Sequence, residues 1–531
     1  MKVLVAAAIV AATAGTAHAF CGFYVAGGDQ QMFNDATQVV LMRDGTRTVL
    51  SMQNNYKGPP EAFAMIIPVP VVLHEGDVKT LPKDVFEHVE KMGAPRLVEY
   101  WEQDPCAIAQ NMEMPAVGYN GTNLIRAKKA VASHDFQVTV EAKFVVGEYQ
   151  IVILSAKNST GLDGWLRQEK YNIPDGAEPL LRPYVESGMK FFVAKVDPAK
   201  VTFENGRAAL SPLRFFYDDD RFELPIRLGI ANSSGTQDLI VNILAPHQRY
   251  EVANYPNVTI PTNLDVKDSV KDKFGAFYAA LFDATVEKHP GAVVTEYSWR
   301  AATCDPCPGP TLGSSDFQLL GADVIASQQA HMSPPTPMNR RRPPPYGAYG
   351  YTMVLTRLHM RYGKDLKDDL VFRAADPIVG GREFVVDEQT GRLEEGARST
   401  PDGVNNFQGR YVIRHPWTGP IACTNPRRHI WGGPPNGGYA PPIAGTNLAF
   451  AARGEVKLQA VVNRDVPEIG IVASDPVSNA VLPPPVPAKP AESYAPAKTN
   501  GCSTSNPADL GAGLALLGFA FARSRRREAR Q

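Results

Sequence analysis

Polar residues bracket short apolar runs twice in succession, Val39 to Met42 within residues 37–43 and Val49-Leu50 within 46–52, and both segments read as strands. The Asp44-Gly45 pair between them supplies the positive φ that tight primed turns require, so the pattern predicts a β-hairpin. Runs rich in Val, Ile, Phe and Tyr at 62–69, 136–146, 149–155, 189–196, 222–231, 238–244 and 293–299 read as further strands. A helical period takes over at 84–92, 162–170, 178–187 and 270–288. In the last of these Val270, Phe274, Phe277, Tyr278, Leu281 and Phe282 share one face. Strands follow strands without a regular strand–helix–strand alternation, which predicts a strand-rich α+β fold with largely antiparallel sheets and a few helices.

Proline interrupts this order in three places. Residues 333–350 carry Pro334, Pro335, Pro337, Pro343, Pro344 and Pro345 around Arg340-Arg341-Arg342 and read as an exposed loop. Residues 431–442 are Gly- and Pro-rich and irregular. Residues 476–501 hold a further cluster of prolines and read as an extended stalk, reaching up to about 80 Å at about 3.1 Å per residue.

The two ends carry a different pattern. Residues 3–15 form an uncharged run behind Lys2, and Ala17 and Ala19 give the small-x-small pattern that signal peptidase cuts, so cleavage is expected between Ala19 and Phe20. Cys21 is not read as a lipoprotein cysteine, because that site wants a small residue before it and Phe20 is large. At the other end, Gly501-Cys502 and a polar spacer precede the apolar run 510–522 and the cluster Arg523, Arg525, Arg526 and Arg527. Thirteen helical residues rise only about 20 Å against a hydrocarbon core of about 30 Å. Arginines that resist translocation and snorkel make such a short span workable, and a transmembrane helix is the expectation. The competing reading, a buried amphipathic helix, lacks a polar stripe.

These features divide the chain into a signal peptide (1–19), a body (20–475), the proline-rich stalk (476–501) and a tail (502–531). With 44% hydrophobic residues, 21% charged residues and a formal net charge of −1, the chain can bury a sizeable core, and nothing in its bulk charge selects nucleic acid.

Gly501-Cys502, spacer, apolar run and arginine cluster resemble the myxobacterial-type C-terminal sorting tail (MYXO-CTERM). That resemblance implies removal of the helix near Cys502 by a sorting protease and retention at the cell surface. The body resembles the bacterial domain-of-unknown-function family 2330 over roughly residues 20–381, and that resemblance leaves 382–475 as an unassigned C-terminal part of the body. The resemblance is carried by Phe20-Cys21-Gly22-Phe23-Tyr24, the hairpin, Gln237-Asp238-Leu239, Glu296-Tyr297-Ser298-Trp299, Cys304-Asp305-Pro306-Cys307 and Leu355-Thr356-Arg357-Leu358-His359. The family brings no established activity, substrate or cofactor.

Of the six cysteines, Cys304 and Cys307 form the best chemical candidate, because a two-residue spacer lets both sulfurs bond each other or share a metal. A dithiol redox site gains from a helix N-terminus, and Pro308 and Pro310 argue against a helix there. A zinc site needs two further ligands, for which His415, Cys423 and His429 are available. A structural disulfide, within the pair or from one of them to Cys423, is the favoured reading in an oxidising compartment, and it pairs Cys21 with Cys106. No metal or other cofactor is expected. Asp218-Asp219-Asp220 lacks calcium-loop spacing and reads as a charged turn, and His359 reads as a satisfied, partly buried residue. Arg340–Arg342 and the aromatics of 346–351 read as solvated loop rather than as polymer-binding sites. No nucleophile elbow, His-Glu-x-x-His helix or phosphate loop occurs. The expectation is an exported envelope protein of binding or structural role, more a non-enzyme than an enzyme. Its partners would be the membrane, signal peptidase and a sorting protease. The alternative is an extracytoplasmic thiol–disulfide oxidoreductase using Cys304 and Cys307.

Overall fold

The hairpin near the head of the chain becomes the middle of the largest sheet. The computed structural model describes residues 23–475 except 27–32, 58–62, 107–137, 170, 172, 174–175, 202, 205–206, 209, 233–234, 326–351, 384–393, 395–397, 449–450 and 452. Strand β1 (Phe23–Ala26) precedes the hairpin of β2 (Phe33–Asp44) and β3 (Arg47–Lys57), which pair antiparallel from Asp44 and Arg47 outward. The turn residues are therefore Gly45 and Thr46, one position later than the Asp44-Gly45 reading. Gly45, at φ +55°, takes the first central position, where a II′ turn demands positive φ.

After β4 (Phe63–Val69), helix α1 (Asp84–Gly93) buries Val85, Phe86, Val89 and Met92, a spacing that keeps them on one face, and leads into β5 (Arg96–Glu102). β6 (Val138–Val146) and β7 (Tyr149–Ala156) form a second hairpin. Helix α2 (Ser159–Gln168) starts where the Asn158 side chain accepts a hydrogen bond from the Gly161 N–H. Helix α3 (Ala177–Glu186) and β8 (Lys190–Val196) follow. One antiparallel sheet then runs β1-β4-β8-β7-β6.

The large sheet adds β9 (Leu213–Asp218), β10 (Gln237–Pro246), β11 (Val293–Arg300), β12 (Met353–Tyr362) and β13 (Asn406–Gln408), with helix α4 (Phe274–Lys288) between β10 and β11. Its central order is β3-β2-β10-β12-β11-β13, antiparallel except for the parallel β2–β10 pair. A third sheet sets β14 (Arg410–His415) parallel to β5, in the register Arg410 to Arg96 through His415 to Trp101. The fold is thus α+β, strand-rich and mostly antiparallel, and residues beyond 381 supply strands to it.

Residues 222–231 depart from the expected strand. Pro225 lacks the N–H a ladder needs, so only Glu223–Leu224 pairs and the chain turns into a 3₁₀ segment, Arg227–Asn232. The Asp369 carboxylate collects the freed Ile226 and Arg227 N–H groups at 2.7 and 3.0 Å. The apolar residues of the run are buried all the same, Leu224, Ile226 and Leu228 among them. The helix expected over 270–288 opens as a 3₁₀ turn, Asp268–Lys273, before α4 proper.

Strand alternation gives the large sheet two apolar faces. Val39, Leu41, Val241, Ile243 and Leu358 enter one cluster. Val40, Met42, Leu244 and Leu355 enter another, under α1. Beside that second cluster lies a third, built on α4, Val294, Tyr411 and Phe407. Among the described residues no helix is long and apolar enough to cross a membrane. The signal segment 1–19, Cys21, the loop 333–350, the stalk 476–501 and the tail with Cys502, Arg525, Arg526, Arg527 and the run 510–522 lie outside the described residues.

Candidate functional site

β11 ends at Arg300, where the Thr303 N–H donates to the Arg300 carbonyl at 3.0 Å and turns the chain into the segment 304–307. Cys304 and Cys307 are bonded to each other. Cys307 is exposed and Cys304 half-buried. Cys304 lines a cavity of about 350 Å³ together with Trp299, Arg300, Thr303, Asp305, Val404 and Asn406.

The loop is held from beneath by groups the sequence did not single out. Arg96, fully buried at the start of β5, donates to the Pro306 carbonyl at 2.6 Å. It also donates to the carbonyls of Met92, at 2.6 Å, and Ala94, at 3.3 Å, at the end of α1. Its guanidinium lies over the Tyr297 ring, and no carboxylate among the described residues bonds it. Gln408 Nε2 donates to the carbonyls of Asp305 and Gly381, and the Glu383 N–H donates to Asp305 Oδ2 at 3.2 Å. Burial pushes the Glu383 carboxyl above its ordinary range, and the nearby Asp305 charge adds to the effect. Burial also lowers the pKa of Arg96, with Tyr297 and Asp305 opposing it.

The expected partner of Cys106 is corrected: it bonds Cys423, 317 residues away, rather than Cys21. Parallel pairing of β14 with β5 carries both strand ends to one side of the sheet, so the segments that follow them, with Cys106 and Cys423, meet. Glu102, buried at the end of β5, gathers the second segment. It accepts hydrogen bonds from Arg428 Nε at 2.7 Å, the His429 N–H at 2.7 Å and the Trp417 N–H at 2.9 Å. Burial alone raises the Glu102 carboxyl, but these donors outweigh it and hold it down to about 2.

The zinc set does not assemble. Cys423 is committed to Cys106, and the two thiols of 304–307 to each other. His415 instead stacks on Trp101 at 4.6 Å and bonds Glu99 Oε2 at 2.9 Å. Glu99, His415 and Asp268 bring their ligand atoms within 4.8 Å of one another, and the Lys271 ammonium, 2.5 Å from Glu99 Oε1, supplies the positive charge there. In the Asp218–Asp220 turn, Asp218 grips Arg47 at 2.7 Å and the Asp220 carbonyl accepts from Arg43 at 3.1 Å.

A buried charge seam crosses the large sheet between the clusters under α1 and α4. Arg357 on β12 donates to Glu296 at 2.6 Å and to Glu90 of α1 at 2.9 Å. His359 sits between Glu296, 2.7 Å from Nδ1, and Asp238, 3.6 Å from Nε2, with the Phe282 ring stacked on it. Burial lowers the His359 pKa but the two carboxylates, Glu296 foremost, raise it overall. Burial raises Glu296, and the His359 and Arg357 charges bring it to about 2. Arg361 and Arg453 both bridge Asp238 and Asp283. Acids and bases in the seam are matched to one another, which suits a fixed internal brace.

A family model described as an uncharacterized protein conserved in bacteria, domain-of-unknown-function family 2330, matches residues 15–373, and the chain belongs to that family. The match includes Cys304 and Cys307 and stops short of Cys423. No curated protein and no solved structure matches the chain.

Proposed function

We propose that this chain is an exported protein of the cell envelope, tethered through its C-terminal tail, whose body has a binding or structural role. One observation carries the reading. The described cysteines are all paired, and one pair spans 317 residues. Such a bond persists in oxidising compartments, where cytosolic thiol reductants do not act. The leader and tail patterns agree in direction: cleavage between Ala19 and Phe20 releases the body, and Cys502 with Arg525, Arg526 and Arg527 retains it at the surface. The membrane, signal peptidase and a C-terminal sorting protease are then the partners. The internally matched charge seam supports a rigid body rather than an acid–base centre.

Cell fractionation with N-terminal sequencing tests the reading. The mature chain should begin at Phe20 and partition with the surface fraction, and Cys502→Ala should leave the body folded while releasing it. Retention of the Cys502→Ala chain at the surface, or a cytoplasmic chain that keeps Met1, would overturn it.

A further inference from the structure

The bond between Cys304 and Cys307 closes a loop of only four residues, so it constrains the unfolded chain little. The loop is also fixed without it, by Arg96 at the Pro306 carbonyl, Gln408 at the Asp305 carbonyl and the Glu383 N–H at the Asp305 carboxylate. A bond that adds little stability to a segment already held, with one cysteine exposed and the other lining a cavity, is placed for exchange. We propose that Cys304–Cys307 is a redox-reversible site that oxidises a dithiol approaching over the cavity beside Cys304, with Cys307 the sulfur attacked. This inference stands beside the envelope reading and does not rest on it.

The step balances as follows. A substrate thiolate bonds Cys307 Sγ, the Cys304–Cys307 bond breaks, and its electron pair leaves on Cys304 as thiolate. The substrate's second thiolate then attacks its own sulfur in the mixed disulfide and expels Cys307 as thiolate. The substrate dithiol becomes a disulfide by losing two electrons, the cysteine pair gains them, and the two protons shed by the substrate end on Cys304 and Cys307.

Exposure decides which sulfur is attacked, since Cys307 is the accessible one. Cations gather round the leaving group. Arg96 lies under the loop at the Pro306 carbonyl, Lys91 packs across Gly309, and Arg300 lines the cavity. Asp305, which lines the same cavity, opposes these cations. The cavity lining, Trp299 and Val404 beside Arg300, Asp305, Thr303 and Asn406, suits a cysteine-bearing peptide with apolar and polar groups next to its thiols.

The test uses the full chain in graded dithiothreitol buffers, with maleimide labelling and peptide mapping to score each bond. Cys304–Cys307 should open at dithiothreitol levels that leave Cys106–Cys423 closed, with the near-ultraviolet circular dichroism unchanged. With glutathione disulfide as the probe, Cys304→Ser should form a mixed disulfide at Cys307 at least tenfold faster than Cys307→Ser forms one at Cys304. Opening of both bonds together, loss of the aromatic signal when Cys304–Cys307 opens, or equal rates in the two variants would overturn the proposal.

Discussion

Strand β5 has a cystine region at each end, and the two are built on opposite principles. At its start, Arg96 holds a loop whose disulfide joins residues three apart; past its end, Glu102 gathers a segment whose disulfide joins residues 317 apart. Arg96 and Glu102 stand only about 20 Å apart along an extended strand. In the chain-entropy account, the long bond removes about 5 kcal/mol of freedom from the unfolded state and the short one about 2 kcal/mol at most. Fold maintenance therefore lies with the far end, while the near end relies on hydrogen bonds and leaves its sulfurs free for other work.

The largest effect that sharpens this contrast is the loss of the long bond. Replacing Cys106 and Cys423 together with Ala should lower unfolding free energy by about 5 kcal/mol, read from denaturant midpoints. A loss below about 1 kcal/mol would erase the distinction between the two ends.

Next comes the charge at Glu102. Its carboxyl titrates near 2 in the fold against an ordinary 4.5, and a depressed acid stabilises above its unfolded value and loses that contribution as the pH falls through its folded one. The difference amounts to roughly 3 kcal/mol at neutral pH, fading between about pH 4.5 and 2. Glu102→Gln should flatten the stability profile in that window by about this amount. The seam should add to the slope there, since Glu296 is held equally low by His359 and Arg357 after their charges outweigh its burial. His359 has the opposite sign, because its pKa is raised: its share is complete below the unfolded value of about 6.5 and is lost as the pH rises through the folded one. The smallest effect is expected at the near end, where Cys304→Ala with Cys307→Ala should cost no more than about 2 kcal/mol.

What could be read from the sequence follows the range over which each feature is decided. The hairpin and helices α1 to α3 were legible because their signals, an Asp-Gly turn between two short runs and a helical period, are local, and even the turn was misplaced by only one residue, Gly45 taking the first rather than the second turn position. The run 222–231 misled because its apolar residues are buried in a turn that Asp369 holds, not in a ladder. β14 escaped notice in a segment with no clear period, since its strand character comes from pairing with β5. The Cys304–Cys307 bond was within reach of sequence reasoning, as the spacing alone lets the sulfurs meet. Arg96, Gln408 and Glu383 were not, because only the fold brings them under that loop. The pairing of Cys106 and the seam joining Glu90, Glu296 and Arg357 were hidden for the same reason.

The long bond also bears on biogenesis. A ribosome delivers Cys21, then Cys106, then Cys304 and Cys307, all before Cys423 exists. Oxidation in order of emergence would join Cys21 to Cys106, the neighbour-to-neighbour arrangement, and trap β5 without its parallel mate. Under the proposed export into an oxidising compartment, maturation depends on delaying that first oxidation or on an isomerase that undoes it, and yield in an exporting host should track isomerase supply more closely than chaperone supply.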